Sequence, residues 1–222
     1  MPASGDTGTF EWKDYSPRVF CALRAALGVD NAEYLLSLTK EGALRRLPSP
    51  GKSGSVFFLS DDGRFVIKSV RKGELRLLQR LLPAYCEHVA KFPRTLLNHF
   101  YGLHRVAPLA GRRVRFLVMG NVFPTDLRLH RKYDLKGSAL GRTSLPAGLS
   151  DPWAMLKDLD LDVTFLLAPE HHAALARQLA RDCALLEAAH VMDYSLLLGV
   201  HYVRWGNRAW APPRGDWARA RE

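Results

Sequence analysis

The sequence predicts an α+β protein of two lobes, the first of which is built on an antiparallel sheet. Two runs of apolar, β-branched and aromatic residues, "SVFFLS" and "RFVIKSV", flank the turn signal "DDG", a pattern typical of a β-hairpin. A helical pattern follows, and then two strand-like segments around Gly111. After Pro124 the chain becomes basic and loop-like before a long helical segment and one more strand. These features predict a sheet-based lobe followed by a second, different lobe.

The helices of the N-terminal lobe have recognisable end signals. In "DYSPRVFCALRAALGVD", Ser16 suits the N-cap, Pro17 suits the first turn and Gly28 ends the helix. A second short helix is expected to open at Asp30. In "GELRLLQRLL" leucines recur at helical spacing, and Pro83 is expected to end or kink this third helix.

The C-terminal half is expected to hold one long helix and one strand. The helix begins at Pro169 and has an apolar stripe formed by Leu175, Leu179, Cys183 and Leu186. It runs into "VMDYSLLLGVHYV", whose near-continuous apolar run predicts a buried strand. The predicted organisation is a flexible N-terminus over 1–9, an N-terminal lobe over 10–125, a partial C-terminal lobe over 126–203 and an irregular basic tail over 204–222.

Composition narrows the class of protein. The 222 residues are 47% hydrophobic and 24% charged, which is ordinary for a globular chain, but the formal net charge of +10 indicates an anionic partner. Nucleic acid, an acidic membrane surface and phosphorylated ligands all meet that description. Three isolated cysteines, no apolar run of about 18 residues and no signal peptide predict a soluble intracellular protein that contacts membranes only at their surface.

A glycine-rich loop precedes the predicted hairpin. Its candidate phosphate-binding residues are Gly51, Lys52, Ser53, Gly54 and Ser55. A Walker A loop would need glycine in place of Arg46 and a helix after the lysine, whereas a strand follows. A glycine loop that enters a strand is the arrangement by which kinases cover nucleotide phosphates. The alternative is an ordinary Gly/Ser turn.

Three further residues could carry chemistry. Lys68 lies on the second strand of the hairpin, where a lysine can reach ATP phosphates, and Glu74 on the following helix is the candidate to orient it. Asp193 lies between a helix end and the last strand, a place that suits a partly desolvated proton acceptor. The alternatives are an exposed strand lysine and an aspartate that caps a turn. The motif "KYDLKGS" fits either a phosphate-facing loop or a solvated basic surface.

Four separated segments resemble one family. The segments "GKSGSVFFLSDDGRFVIKSV", "RTLLNHFYGLHRV", "KYDLKGS" and "VMDYSLLLGVH" resemble the phosphatidylinositol phosphate kinases, particularly the type I group, and occur in that family's order. The resemblance runs from about Phe10 to Val203. It implies a two-lobed kinase-like α+β fold, here with an incomplete C-terminal lobe, that uses ATP and Mg²⁺.

The resemblance also implies roles for individual residues. The loop from Gly51 to Ser55 would cover the phosphates of ATP, and Lys68 would contact them. Asp193 would be the catalytic aspartate that faces the inositol hydroxyl, and Lys136 would lie near the transferred phosphate. The implied partners are anionic membrane phosphoinositides and type I phosphatidylinositol phosphate kinases, at a cytoplasmic, peripheral membrane location.

The chain departs from the family pattern in two places. The family continues after its "MDYSLL" strand with an aspartate that holds Mg²⁺ and a loop that selects the lipid. Asp216 is the only aspartate after Asp193, and because it lies in an arginine-rich tail no metal ligand is assigned. The family's acidic helix position falls at Arg76, two residues from Glu74. A truncated or alternative form with impaired catalysis is therefore expected.

Two functions remain in competition. One is a kinase that phosphorylates the 5-hydroxyl of phosphatidylinositol 4-phosphate. The other is a catalytically weak or inactive scaffold that binds type I kinases and localises them at membranes. Nucleic-acid binding rests on charge alone, because neither stacked aromatics nor a groove-reading helix is evident.

Overall fold

The computed structural model describes residues 10–40, 42–47, 54–108, 111–144 and 155–203. The elements over these residues are β1 (Phe10–Asp14), α1 (Pro17–Ala26), α2 (Asn31–Thr39), β2 (Leu44–Leu47), β3 (Phe57–Ser60), β4 (Phe65–Ser69), α3 (Lys72–Lys91), β5 (Phe100–Pro108), β6 (Val114–Gly120), β7 (Arg131–Leu135), a 3-10 helix (Asp158–Asp160), α4 (Pro169–Ala188) and β8 (Leu196–Val200). They divide into two units. The first runs to Pro124 and includes Ala176–Ala189, and the second comprises Thr125–Leu175 and the residues from His190 onward.

The first unit is built on a six-stranded antiparallel sheet, so the predicted α+β fold class is confirmed. Its strand order is β1-β5-β6-β4-β3-β2. The predicted hairpin is β3 and β4, and the predicted pair of strands around Gly111 is β5 and β6. The edge strands β1 and β2 were not predicted, because both are short and mostly exposed and so lack an apolar pattern.

Helices cover both faces of this sheet. On one face α1 and α3 pack against β5 and β6, with Phe20, Leu82 and Leu117 in the buried cluster. On the other face Tyr34 of α2 packs with Phe65 and Ile67 of β4. Because side chains alternate along a strand, Lys68 lies on the face opposite Phe65 and Ile67, as its sequence position predicts.

The third helix continues across Pro83, so the prediction that this proline ends the helix is wrong, whereas the alternative of a kink stays a prediction. The helix runs unbroken from Lys72 to Lys91. Pro83 is exposed, so water can satisfy the carbonyl that its missing N–H leaves unpaired. Beyond it, Tyr85 and Val89 are buried in the core, and this burial offsets the lost helical hydrogen bond.

Gly102 makes room for a buried hydrogen bond between a tyrosine and a histidine. The Oη of Tyr34 lies 2.7 Å from Nε2 of His104, whose Nδ1 lies 2.6 Å from the carboxylate of Asp14. Burial lowers the pKa of His104 despite Asp14, which favours a neutral ring that donates to Asp14 and accepts from Tyr34. A Cβ atom on Gly102 would lie 2.1 Å from Tyr34 Oη and 2.3 Å from His104 Nε2.

We expect Gly102→Ala to lower the free energy of unfolding by about 1–3 kcal/mol, because the methyl group must push two buried side chains apart. Urea unfolding followed by circular dichroism measures this change. Gly73→Ala is the matched control, since a Cβ there meets no atom within 4 Å and alanine favours a helix. Equal stability of the Gly102→Ala variant and the parent chain would contradict the steric argument.

The second unit holds β7 and β8, which pair antiparallel. Leu156 adds an isolated parallel bridge to Tyr133, and both residues are buried together with Val200. The strand β7 falls in a segment predicted to be loop-like, because its basic residues mask the alternation. The strand β8 was predicted to be buried, but Leu196 is 39% exposed and only Val200 of this strand is buried.

The predicted apolar stripe of α4 is only partly buried, with Leu179, Cys183 and Leu186 half-buried. Leu175 is exposed, whereas the buried residues of this helix are Gln178 and Asp182. The buried face is polar because Asp182 accepts hydrogen bonds from several groups of the first unit, including His88 and Thr95.

Candidate functional site

Lys68 forms an ion pair with Glu74 in the first unit. The Nζ of Lys68 lies 2.9 Å from Oε1 of Glu74, and the two side chains are 27% and 38% exposed. The pair is local: only Val70 and Arg71 separate β4 from α3, so the first turn of the helix returns past the end of the strand. Glu74 therefore supplies the carboxylate that pairs with Lys68. Its offset of two residues from Arg76, where the family's acidic residue falls, does not prevent the pair from forming.

Glu74 is held in its charged form. Burial raises the pKa of its carboxyl, but the N–H of Arg71 and the ammonium of Lys68 together keep the pKa below its usual value. The N–H of Arg71 donates to Oε2 at 2.7 Å, which places a negative charge at the N-terminus of α3, where the helix dipole favours it. Lys68 is thus a fixed, partly exposed cation at the end of β4.

The glycine-rich loop precedes β3, the strand that pairs with the strand of Lys68. Gly51, Lys52 and Ser53 lie outside the described residues, whereas Gly54 and Ser55 are described. Gly54 has a φ of 67°, a left-handed conformation that glycine adopts without strain, and Ser55 is buried.

Beyond the loop, the chain is fixed beside Lys68. The N–H of Val56 donates to Oγ of Ser69 at 2.8 Å, and the N–H of Ser69 donates back to the carbonyl of Val56. Phe57 pairs with Lys68 across the hairpin. The exit of the loop and the candidate phosphate-binding lysine are therefore neighbours on adjacent strands.

Lys136 and Asp193 form a second ion pair, in the second unit. The ammonium of Lys136 donates directly to the carboxylate of Asp193. This contact lowers the pKa of Asp193 below its usual value, so the carboxylate is ionised at neutral pH. Lys136 follows β7 and Asp193 precedes β8, so the pairing of these strands brings both residues to the same end of the two-stranded sheet.

Asp193 is exposed, contrary to the expectation that it is partly desolvated. Its side chain is 81% exposed, because the segment between α4 and β8 lies at the surface of the second unit. Its backbone is left-handed, with a φ of 62°, a conformation that aspartate and asparagine tolerate better than most residues. The residue is therefore held by its backbone and by Lys136.

Two aspartates of the 3-10 helix were missed by sequence reasoning. Asp158 accepts from the N–H groups of Lys136 and Gly137, and Asp160 accepts from Thr143 and Ser144. Hydroxyl and backbone donors hold the pKa of Asp160 at about 2 although burial raises it. The alternation of acids in "KDLDLD" beside a basic loop was the available signal.

The described residues contain no group of three His, Cys, Asp or Glu side chains that could hold a metal ion. Magnesium, which the family resemblance implies, is usually held by one or two carboxylates together with substrate phosphates, and no residue is assigned to it. Lys68, by contrast, is a partly exposed cation with its carboxylate partner already in place, and it fits the phosphates of ATP.

Comparison with known proteins agrees with the family resemblance of the sequence. A family model described as Phosphatidylinositol-4-phosphate 5-Kinase matches residues 38–215, which is most of the chain. The chain belongs to the phosphatidylinositol-4-phosphate 5-kinase family. Within this family it is 50% identical to phosphatidylinositol 4-phosphate 5-kinase 9 of Arabidopsis thaliana over 209 residues, which are 91% of this chain and 26% of that protein.

Two further relatives give the same picture. A probable phosphatidylinositol phosphate kinase of Dictyostelium discoideum is 43% identical over 220 residues, which are 96% of this chain and 31% of the relative. Phosphatidylinositol 4-phosphate 5-kinase 1 of rice, Oryza sativa subsp. japonica, is 47% identical over 202 residues, which are 87% of this chain and 25% of the relative. The chain thus spans about a quarter to a third of the length of these phosphatidylinositol-4-phosphate 5-kinase relatives.

Proposed function

We propose that this chain acts in the transfer of the γ-phosphoryl group of ATP to the 5-hydroxyl of phosphatidylinositol 4-phosphate. The observation that carries the proposal is the formation of two lysine–carboxylate pairs, Lys68 with Glu74 and Lys136 with Asp193. Three of these four residues, Lys68, Lys136 and Asp193, belong to the family motifs. The names of the relatives, several of which are phosphatidylinositol 4-phosphate 5-kinases, support the choice of substrate.

Each pair has a distinct task in this proposal. ATP supplies the phosphoryl group, and the Lys68 ammonium, held by Glu74, binds its phosphate oxygens. Lys136 neutralises the charge that gathers on the transferred group. Asp193 accepts a hydrogen bond from the attacking hydroxyl and orients it.

The low pKa of Asp193 is compatible with that role. A carboxylate paired with lysine is a weak base at neutral pH, so it does not remove the hydroxyl proton early. Phosphoryl transfer passes through a loose transition state in which positioning and charge stabilisation matter more than early proton removal. An ionised, fixed acceptor is what this reaction requires.

The proposal is tested with the purified chain, Mg-ATP labelled at the γ-phosphate, and vesicles that contain phosphatidylinositol 4-phosphate. We expect a labelled bisphosphate product. Lys68→Met should lower kcat/KM for ATP about ten- to a hundredfold, because a hydrogen bond from a charged donor to phosphate is lost.

Arg64→Met is the matched control for this substitution. It removes a cation that precedes the same strand and pairs with Glu33 at the surface, so turnover should be unchanged. Product that forms equally with the Lys68→Met variant would refute the proposed role of Lys68. A complete lack of product with vesicles that nevertheless bind the chain would favour the scaffold function.

Membrane association is part of the same proposal. No helix within the described residues is long and apolar enough to cross a membrane. The net charge of +10 instead favours peripheral contact with an anionic cytosolic leaflet, where each basic residue near the surface contributes about 1 kcal/mol. The proposed partners are membrane phosphoinositides and, in the scaffold alternative, type I phosphatidylinositol phosphate kinases.

A further inference from the structure

One carboxylate holds the backbone on both sides of Lys136. The Oδ1 atom of Asp158 accepts the N–H of Lys136 at 2.8 Å and the N–H of Gly137 at 2.7 Å. These two N–H groups flank the α-carbon of Lys136, so together they set the direction in which its side chain leaves the backbone. Gly137 has a φ of 70°, which allows the chain to turn at once beyond this contact.

Arg142 closes the loop onto the same carboxylate. Its Nε donates to Oδ2 of Asp158 at 2.6 Å, and its Nη2 donates to Oδ1 of Asp134 at 2.9 Å. Asp158 therefore binds both ends of the segment 136–142. The Asp158 side chain is only 14% exposed, so water competes little for these hydrogen bonds.

The 3-10 helix is itself attached to β7. The N–H of Asp134 donates to the carbonyl of Leu156 at 2.8 Å, and the N–H of Leu156 donates to the carbonyl of Lys132 at 2.8 Å. The chain therefore reaches Asp158 directly after it pairs with the strand that precedes Lys136. Because only Lys157 separates Leu156 from Asp158, this pairing holds the Asp158 carboxylate next to the segment 136–142.

We propose that Asp158 is a positioning residue that aims the Lys136 ammonium at Asp193. Any effect of Asp158 on the rate of phosphoryl transfer rests on the proposed function, but its effect on the position of Lys136 can be measured without turnover. Asp158 contacts the backbone of Lys136, and the side chain of Lys136 contacts Asp193, so the effect passes through one residue.

Asp160 provides a matched control. It lies in the same 3-10 helix and is buried, but it accepts its hydrogen bonds from Thr143, Ser144 and the N–H of Lys157. Asp160→Ala therefore removes a comparable carboxylate from this helix without removing a contact to Lys136 or Gly137.

The test uses nuclear magnetic resonance on the full chain. Amide hydrogen exchange is measured at Lys136 and Gly137, and the carboxyl carbon of Asp193 is titrated. In Asp158→Ala we expect protection of the two amides to fall about tenfold or more, the effect of losing a hydrogen bond to a charged group. The pKa of Asp193 should rise toward its ordinary value, because Lys136 no longer faces it. Asp160→Ala should leave both readings as in the parent chain.

Asp158→Asn keeps the test decisive if the alanine variant does not fold. Asparagine keeps one oxygen for the two N–H groups but presents an N–H to Arg142, so a smaller rise in the Asp193 pKa is expected. An unchanged Asp193 titration in a folded Asp158 variant would overturn the proposal.

If the parent chain turns over, Asp158→Ala should lower kcat and leave KM for ATP unchanged. A parent chain without turnover would count against the proposed function alone, since the titration still decides the positioning role.

Discussion

Replacement of Asp182 by alanine is expected to lower the free energy of unfolding by about 3–5 kcal/mol, the usual effect of removing one partner from a buried charged network. The Asp182 side chain is 6% exposed. Its carboxylate accepts four hydrogen bonds, at 2.6–2.8 Å, from His88 Nε2, Thr95 Oγ1, the N–H of Leu96 and Gln178 Nε2. Alanine would leave these buried donors without an acceptor, and urea unfolding at neutral pH measures the loss.

The pH dependence of this stability identifies the charge as its source. Burial raises the pKa of Asp182, but its donors, Thr95 first among them, hold the pKa below the ordinary value. A lowered pKa in the folded state means that the contribution is complete above the unfolded pKa of about 3.9 and is lost as pH falls through the folded pKa. The stability gap between the parent chain and Asp182→Asn should therefore narrow as pH falls below about 4.

Glu187→Ala is the control for these measurements, since Glu187 lies on the exposed side of the same helix. A surface substitution of this kind should change stability by no more than about 0.5 kcal/mol. If Asp182→Ala proves as stable as Glu187→Ala, the network does not join α4 to α3 and the segment that follows α3 in the way the hydrogen bonds indicate.

Periodic segments could be predicted from the sequence, whereas isolated long-range partners could not. The helices, the β3–β4 hairpin and the β5–β6 pair follow from apolar spacing and turn residues. Asp182 is different, because an aspartate among leucines in a helix is usually solvated, and its partner His88 is 94 positions away. Gln178, Asp182, Leu185 and Ala189 share this face of α4, but because two of the four are polar the face has no apolar pattern in the sequence.

The two candidate pairs also differ in how far sequence reasoning could reach. Lys68 and Glu74 are six positions apart across a strand–helix junction, so local structure alone brings them together. Lys136 and Asp193 are 57 positions apart, and only the family resemblance linked them in the sequence. Their contact depends on β7, a basic strand that lacks the alternation by which strands are usually recognised. The exposure of Asp193 had no signal in the sequence, because it depends on which neighbours pack around the segment before β8.

Asp193→Asn is expected to lower kcat/KM by about a hundred- to ten-thousandfold in the vesicle assay, the range typical of losing a group that accepts or orients a proton. Asparagine is similar in size, tolerates the left-handed backbone at this position and still accepts a hydrogen bond from Lys136. It lacks the negative charge and cannot take up the hydroxyl proton as transfer completes. Because Asp193 is exposed, the thermal unfolding midpoint should not change, so a loss of turnover would report chemistry rather than misfolding.

Asp162→Asn is the control that distinguishes the position of the Asp193 charge from its contribution to the net charge of the chain. Asp162 is also an exposed acid of the second unit, but its carboxylate pairs with Arg131 at the far end of β7 from Lys136. Turnover of this variant should stay close to that of the parent chain. Since both substitutions remove one negative charge, equal losses would mean that the overall charge of the chain, through its effect on vesicle binding, sets the rate. If only Asp193→Asn loses turnover, the reaction requires a carboxylate beside Lys136. That result would connect the ion pair to the transferred phosphoryl group.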